Sequence, residues 1–302
     1  MNKDAERGSR LRAILPYIAA SGAVAAAYAS IEAILFRRLF LPSFGQAPAL
    51  TIPDDAKDHI VKFNFRTQDN VSSSGHMFLH QQTVKTVVIT HGHKGCEADV
   101  FDLAYELWKL GLNTVTYNLR GGPGGPKKLV TMGIKETNEL SSVVYATKQR
   151  IPDASIGLLG ISMGAVVSIR YAASDPNIKC LVLDSPYYSL TLLLNHHIKD
   201  TLKIPGNIFP PSLDALFTRI TGNGFKELEM SQYLPRVYPR PILVIHGKED
   251  KTTPFWHSEL IYAHYKGPSE LWIVPDVEHA ESYVNQKQKY LDKVHAFFER
   301  HL

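Results

Sequence analysis

The sequence predicts an α/β fold: a mostly parallel sheet with helices covering both faces. Two observations carry this expectation. Short apolar runs such as KTVVIT (Lys85–Thr90), KCLVLDS and RPILVIHG lack the polar alternation of a half-exposed strand, so each is expected to be buried on both faces. Helix-length segments separate these runs, and strands alternating with helices form parallel crossovers.

The elements follow in order. HIVKFNFRT and SGHMFLH alternate apolar and polar residues across the turn-forming QDNVSS, which predicts an antiparallel opening hairpin. KTVVIT is the next strand, with a helix after it around Val100–Leu110. LNTVTYN then reads as a strand and GIKETNELSSVVYATKQR as a helix. SIGLLG, KCLVLDS, RPILVIHG and ELWIVP complete the strands. The closing segment YVNQKQKYLDKVHAFFERHL predicts an amphipathic helix with Leu291, Val294, Phe297 and Phe298 on its apolar side. Residues 187–238 interrupt this rhythm and carry Leu192, Leu193, Leu194, Ile198, Phe209 and Phe217, which predicts a small helical cap over the sheet edge.

The N-terminus differs from the rest. Ala13–Ile31 carries no charge, and as a helix it would measure about 28 Å, close to the ~30 Å hydrocarbon core of a bilayer. Three readings compete: an uncleaved signal anchor, a signal peptide cleaved near the AYA of Ala27–Ala29, and a helix packed on the domain. We take the anchor as the leading one. Lys3, Arg7, Arg10 and Arg12 precede the run, a bias that favours an outward-facing domain. The expected organisation is therefore an anchor or signal segment at 1–40, a Pro-rich linker at 41–57 and one folded domain at 58–302.

At 302 residues the chain can bury a large core, and 44% hydrophobic with 21% charged residues excludes wholesale disorder. A net charge of +4 with scattered basic residues offers no nucleic-acid stripe. Cys96 and Cys180 imply no disulfide framework.

Gly160, Ser162 and Gly164 form G-x-S-x-G in LLGISMGAVV. Alone the pattern is common, but here it ends a strand and opens a helix, the setting of a nucleophile elbow. A serine hydroxyl needs a base that is itself oriented by a carboxylate. Asp250 in VIHGKEDKTTP and His279 in VPDVEHAESY follow in that chain order. Each lies just past a strand end, the edge where ligands bind in open α/β sheets. Asp184 in LVLDSPYY is the rival acid, and His246 is expected only to pack or bond locally. The backbone N–H groups of His93 and Met163 are candidate oxyanion donors. His91-x-His93 lacks the further histidines and the closely following aspartate of a binuclear zinc site, so no metal is expected.

On THGHKG, GISMGA, LDSPY, PILVIHGKEDKTTP and VEHAESY, residues 58–302 resemble the α/β-hydrolase superfamily, specifically serine hydrolases of the lysophospholipase and monoglyceride-lipase type. That resemblance implies an eight-stranded sheet with its first pair antiparallel, a Ser-Asp-His triad and no cofactor. Carried over, Ser162 is the nucleophile, Asp250 the acid, His279 the base, and His93 and Met163 the oxyanion donors. One departure is NLRGGPG, where relatives often have Asp-x-Arg-Gly-x-Gly: Asn118 removes a charge near the nucleophile loop.

The expected activity is hydrolysis of carboxylic esters, with a lipid-like or other small acyl ester as substrate. Alternatives are a thioesterase or protein deacylase, an aminopeptidase-like amidase, and a non-catalytic membrane-anchored binding protein on the same scaffold. The complete triad argues against the last. Oligomeric state is left open.

Overall fold

The computed structural model describes residues 29–43, 45–202 and 211–302. The strands are β1 (Ile60–Arg66), β2 (Ser72–Phe78), β3 (Lys85–Thr90), β4 (Asn113–Tyr117), β5 (Ser155–Ile161), β6 (Ile178–Asp184), β7 (Ile242–Gly247) and β8 (Ser269–Val274). They form an eight-stranded sheet in the order β1-β2-β4-β3-β5-β6-β7-β8. β2 runs antiparallel to β1 and to β4, and the other neighbours are parallel.

The continuous apolar runs are explained by two separate helix layers. Successive side chains of a strand point to opposite faces. Val88, Leu158, Leu181 and Val244 join one core with Leu140 and Val144 of α3 (Glu136–Arg150) and Val166 and Ile169 of α4 (Met163–Ala172). Their neighbours Val87, Ile89, Leu159, Val182 and Leu243 join the other, with Leu103 and Leu107 of α2 (Ala98–Lys109) and Val294 and Phe298 of α10 (Lys287–His301). The sequence predicts one closing helix, but it is broken at Gln286 (φ −130°, ψ 40°) into α9 (Ser282–Asn285) and α10.

Between β6 and β7 lie α5 (Leu190–Leu202), α6 (Pro211–Thr221), two 3₁₀ turns and α7 (Leu234–Val237); α8 (Trp256–His264) joins β7 to β8. Leu190, Leu194, Phe217, Phe225 and Leu228 seat the first group on the α3/α4 side of the core.

Residues 13–28 of the expected anchor lie outside the described residues. Residues 29–40 are a helix, α1, and it packs on the domain. Phe40 is buried, 4.8 Å from the Phe217 ring and 6.2 Å from Phe225. The last carbonyls of α1 are capped by one loop: Lys94 Nζ donates to Arg37 O (3.3 Å) and Arg38 O (2.5 Å), and His93 Nε2 donates to Leu39 O (2.8 Å). No helix among the described residues is long and apolar enough to cross a membrane. The transmembrane expectation therefore has no support there. Residues 41–57 also run along the domain, with Ser43 N bonded to Gly121 O (2.7 Å), Leu50 and Ile52 against the α2/α10 core, and Ala56 buried.

Truncating a buried phenylalanine costs about 3–5 kcal/mol. Phe40→Ala is expected to lower the unfolding free energy by about 3 kcal/mol, read by urea denaturation. A loss below about 0.5 kcal/mol, the range of ordinary surface substitutions, would show that α1 is not part of the cooperative fold.

Candidate active site

Ser162 occupies the single residue between β5 and α4, at φ 54° and ψ −116°. A non-glycine residue held there stores about 1–3 kcal/mol of strain. The turn closes because its flanking positions lack side chains. A Cβ on Gly160 would lie 2.3 Å from Gly164 O, and one on Gly164 would lie 2.2 Å from Thr90 O. The Ser162 amide donates to Asp184 O (2.8 Å) on β6, and the Ser162 carbonyl accepts from Ala165 N (3.0 Å).

His279 bridges the serine and an acid. Its Nε2 is 3.0 Å from Ser162 Oγ, and its Nδ1 is 2.5 Å from Asp250 Oδ2. Asp250 is almost fully buried. Burial alone would raise its carboxyl, but hydrogen bonds from His246 and His279 and from the Thr253 amide hold it down at about 2. It is therefore ionised at neutral pH and can only accept. This places the imidazole proton on Nδ1 and leaves Nε2 free to accept the serine hydroxyl proton.

The two loops meet because Gly247 ends β7 without a side chain. A Cβ there would lie 2.4 Å from Val277 O and 2.5 Å from Glu278 O. The Glu249 amide bonds Val277 O (2.9 Å) across the same gap.

The support of Asp250 exceeds what the sequence suggests. Oδ1 accepts from the Thr252 and Thr253 amides (2.8 and 2.7 Å), and Oδ2 accepts from His246 Nε2 (3.0 Å) as well as from His279. His246 is fully buried and pinned by Ser258 Oγ (2.6 Å) and Thr253 O (2.6 Å). Expected only to bond locally, it is a second partner of the acid. Its spacing, four residues before Asp250 at a strand end, is the signal that points there.

The rival acid, Asp184, is not bonded to His279. Its Oδ1 accepts from Ser185 Oγ (2.9 Å), and Ser185 Oγ accepts from the Ala280 amide (3.2 Å), so it steadies the residue after His279 from below. Burial raises the Asp184 carboxyl. Met163 opens α4, so its N–H lies at a helix N-terminus and carries partial positive charge. The His93 N–H belongs to the loop after β3, whose Gly92 lies against Ser162. Among the described residues, neither amide donates to a backbone acceptor.

The His91 and His93 rings engage backbone groups rather than each other. His91 Nε2 accepts from the Leu119 amide (3.0 Å), and the His93 ring holds Leu39 O. Burial lowers both rings, which keeps them in the neutral form. Asn118 has a specific partner. Its Oδ1 accepts from the Glu97 amide (2.9 Å), and its Nδ2 donates to Glu97 Oε2 (3.3 Å). An aspartate at 118 would set two buried carboxylates together, a repulsion that the amide avoids. His197 of α5 donates from Nε2 to Thr252 O (2.7 Å) beside the acid.

Residues 81–230 match the family model Hydrolase_4, described as serine aminopeptidase, S33. An esterase of Pyrococcus furiosus, Pf2001, superposes with a TM-score of 0.68 at 25% identity, covering 86% of this chain and 97% of its own. The chain has the α/β-hydrolase fold. An acylaminoacyl peptidase of Pyrococcus horikoshii also superposes (TM-score 0.64, 19% identity), covering 80% of this chain and 41% of its own. Sequence relatives include uncharacterized protein YqkD of Bacillus subtilis, 27% identical over 74% of each chain. Uncharacterized protein Rv2307c of Mycobacterium tuberculosis is 27% identical over 86% of each. The family model and the likeness to Pf2001 support a hydrolase.

A carboxyl lowered by folding contributes stability above its ordinary value and loses it as pH falls through its folded value. For Asp250 that window runs from about pH 5 to about pH 2, and a shift from 3.8 to about 2 is worth about 2 kcal/mol. In urea unfolding, wild type is expected to exceed Asp250→Asn at pH 7, and the gap to narrow by about 2 kcal/mol on going to pH 2. A gap that does not change with pH would contradict the low value. His246→Phe, which removes one donor, is expected to shrink the pH-dependent part.

Proposed function

We propose that the chain is a serine hydrolase that cleaves carboxylic esters of lipid-like acyl groups. The observation that carries this reading is the hydrogen-bonded series Ser162 Oγ–His279–Asp250, with the serine on a strained turn at the C-terminal sheet edge. Ser162 Oγ attacks the acyl carbon while His279 Nε2 takes its proton, and the carbonyl oxygen becomes an oxyanion bound by the His93 and Met163 amides. Collapse breaks the ester C–O bond. His279 returns the proton to the leaving alkoxide, giving the alcohol and an acyl-Ser162. Water then adds to the acyl carbon, His279 again moves the proton, and the carboxylic acid leaves with the serine restored. Asp250 holds the imidazole and stabilises its cationic form.

The likeness to an esterase over most of both chains favours an ester over an amide. Leu192 and Leu216 of the cap stay exposed, which favours a hydrocarbon acyl group. In this reading the uncharged residues ahead of α1, from Ala13 on, anchor the enzyme to a membrane, with the domain on the outer face. A reporter fused after Leu302 that labels only from the cytoplasm would reverse that orientation.

Wild-type enzyme is expected to react with a fluorophosphonate probe and to hydrolyse p-nitrophenyl esters, faster than the matched thioester and anilide. Ser162→Ala should lose the label and at least about 10⁴-fold in kcat. Equal labelling of the variant would place the nucleophile elsewhere.

A further inference from the structure

We infer that α1 and α5 together form the acyl-chain site, an open apolar groove between the loop carrying His93 and the loop carrying Asp250. On α1 the lining residues are Ile31, Ile34, Leu35, Arg38 and Leu39, and on α5 they are Leu194, His197 and Ile198. The α1 set falls at i, i+3, i+4, i+7 and i+8, and the α5 set at i, i+3 and i+4. Each set is therefore one stripe of its helix.

Facing apolar stripes ordinarily interdigitate and close the space between the helices. Here a groove of about 440 Å³ remains between them, within the range of small-molecule sites. Ile34 stays 53% exposed in its wall. Six of the eight lining residues are aliphatic, with Arg38 and His197 the exceptions, so the open groove matches a hydrocarbon chain better than a polar ligand.

Both walls are tied to the catalytic loops. Leu39 contributes a side chain to the groove and its carbonyl to the His93 ring. His197 lines the opposite wall and donates to Thr252 O, and the Thr252 amide donates to Asp250 Oδ1. One wall is thus a single hydrogen bond from His93, and the other is joined through Thr252 to Asp250. In this inference a chain lying in the groove has its carboxyl end directed towards Ser162. That use rests on the acyl-ester reading above; the capacity to hold a hydrocarbon chain does not.

The test compares kcat/KM for p-nitrophenyl decanoate with that for p-nitrophenyl acetate, both below micellar concentrations. Each methylene buried in the groove is worth about fourfold. Wild type should favour decanoate, and the decanoate-to-acetate ratio should fall at least tenfold in Ile34→Trp, which fills the groove, and in Ile34→Asp, which charges it. Because the ratio is taken within each enzyme, loss of folded protein cancels. Tyr145→Ser, an exposed change on α3, should leave the ratio as in wild type. In parallel, laurate binding to Ser162→Ala is measured by calorimetry and should weaken at least tenfold when Ile34→Asp is added. If wild type turns over neither ester while laurate still binds in an Ile34-dependent way, the groove stands and the ester reading falls. If laurate does not bind, or if neither the ratio nor the laurate affinity responds to Ile34, the groove is not the acyl site, even in an active esterase.

Discussion

β5 must end and α4 begin within the single residue Ser162, and a turn this sharp forces its left-handed backbone. That conformation is imposed from outside, by Gly160 and Gly164 lying too close to neighbouring backbone to accept side chains, and by the Asp184 carbonyl holding the serine amide. β5 is flanked on both sides by parallel strands, with Gly160 opposite Thr90 of β3 and Leu183 of β6. The hydroxyl therefore emerges between the loop after β3 and the loops that follow β6, β7 and β8. Oxyanion amides can come only from the first side and from α4 itself, and the base and acid only from the second. The chain order Ser, Asp, His follows from that placement.

The charge at Asp250 is the second constraint. An ionised carboxylate is costly to bury unless its oxygens are fully bonded. The two threonine amides, His246 and His279 supply that bonding. Burial meanwhile keeps His91 and His93 towards the neutral form and pushes His257 down to about 3. The fixed negative charge of Asp250, 2.5 Å from His279 Nδ1, favours the imidazolium formed when His279 accepts a proton. Such an arrangement stabilises the transition state more than the ground state, because that charge on His279 develops as the serine proton is transferred.

These constraints explain what the sequence makes legible. The strands and the Ser162, Asp250 and His279 positions are local signals: apolar runs covered on both faces, a glycine-fenced serine, and acid and base just past strand ends. What escapes sequence reading depends on partners distant along the chain. Asn118 looks like a lost charge until Glu97 is beside it, and His246 has no visible role until its ring reaches Asp250. The break at Gln286 leaves the apolar spacing on both sides unchanged, so periodicity does not report it. An apolar run near the N-terminus fits lipid and protein equally well, which is why residues 29–40 read as part of an anchor although Phe40 packs against Phe217 and Phe225.

That packing has a consequence for the site. A helix C-terminus leaves carbonyls without partners and carries partial negative charge. In α1 they are met by Lys94 and His93, which sit in the loop that supplies the candidate oxyanion amide. Lys94 itself holds φ at 53°, a conformation its side chain disfavours, so the loop needs support from outside. On one side His91 ties the loop to Leu119 at the end of β4, and on the other the carbonyl end of α1 ties it to the N-terminal segment. The position of the His93 amide is therefore set jointly by the sheet and by α1. Residues that look like the tail of an anchor are part of the frame that holds the site.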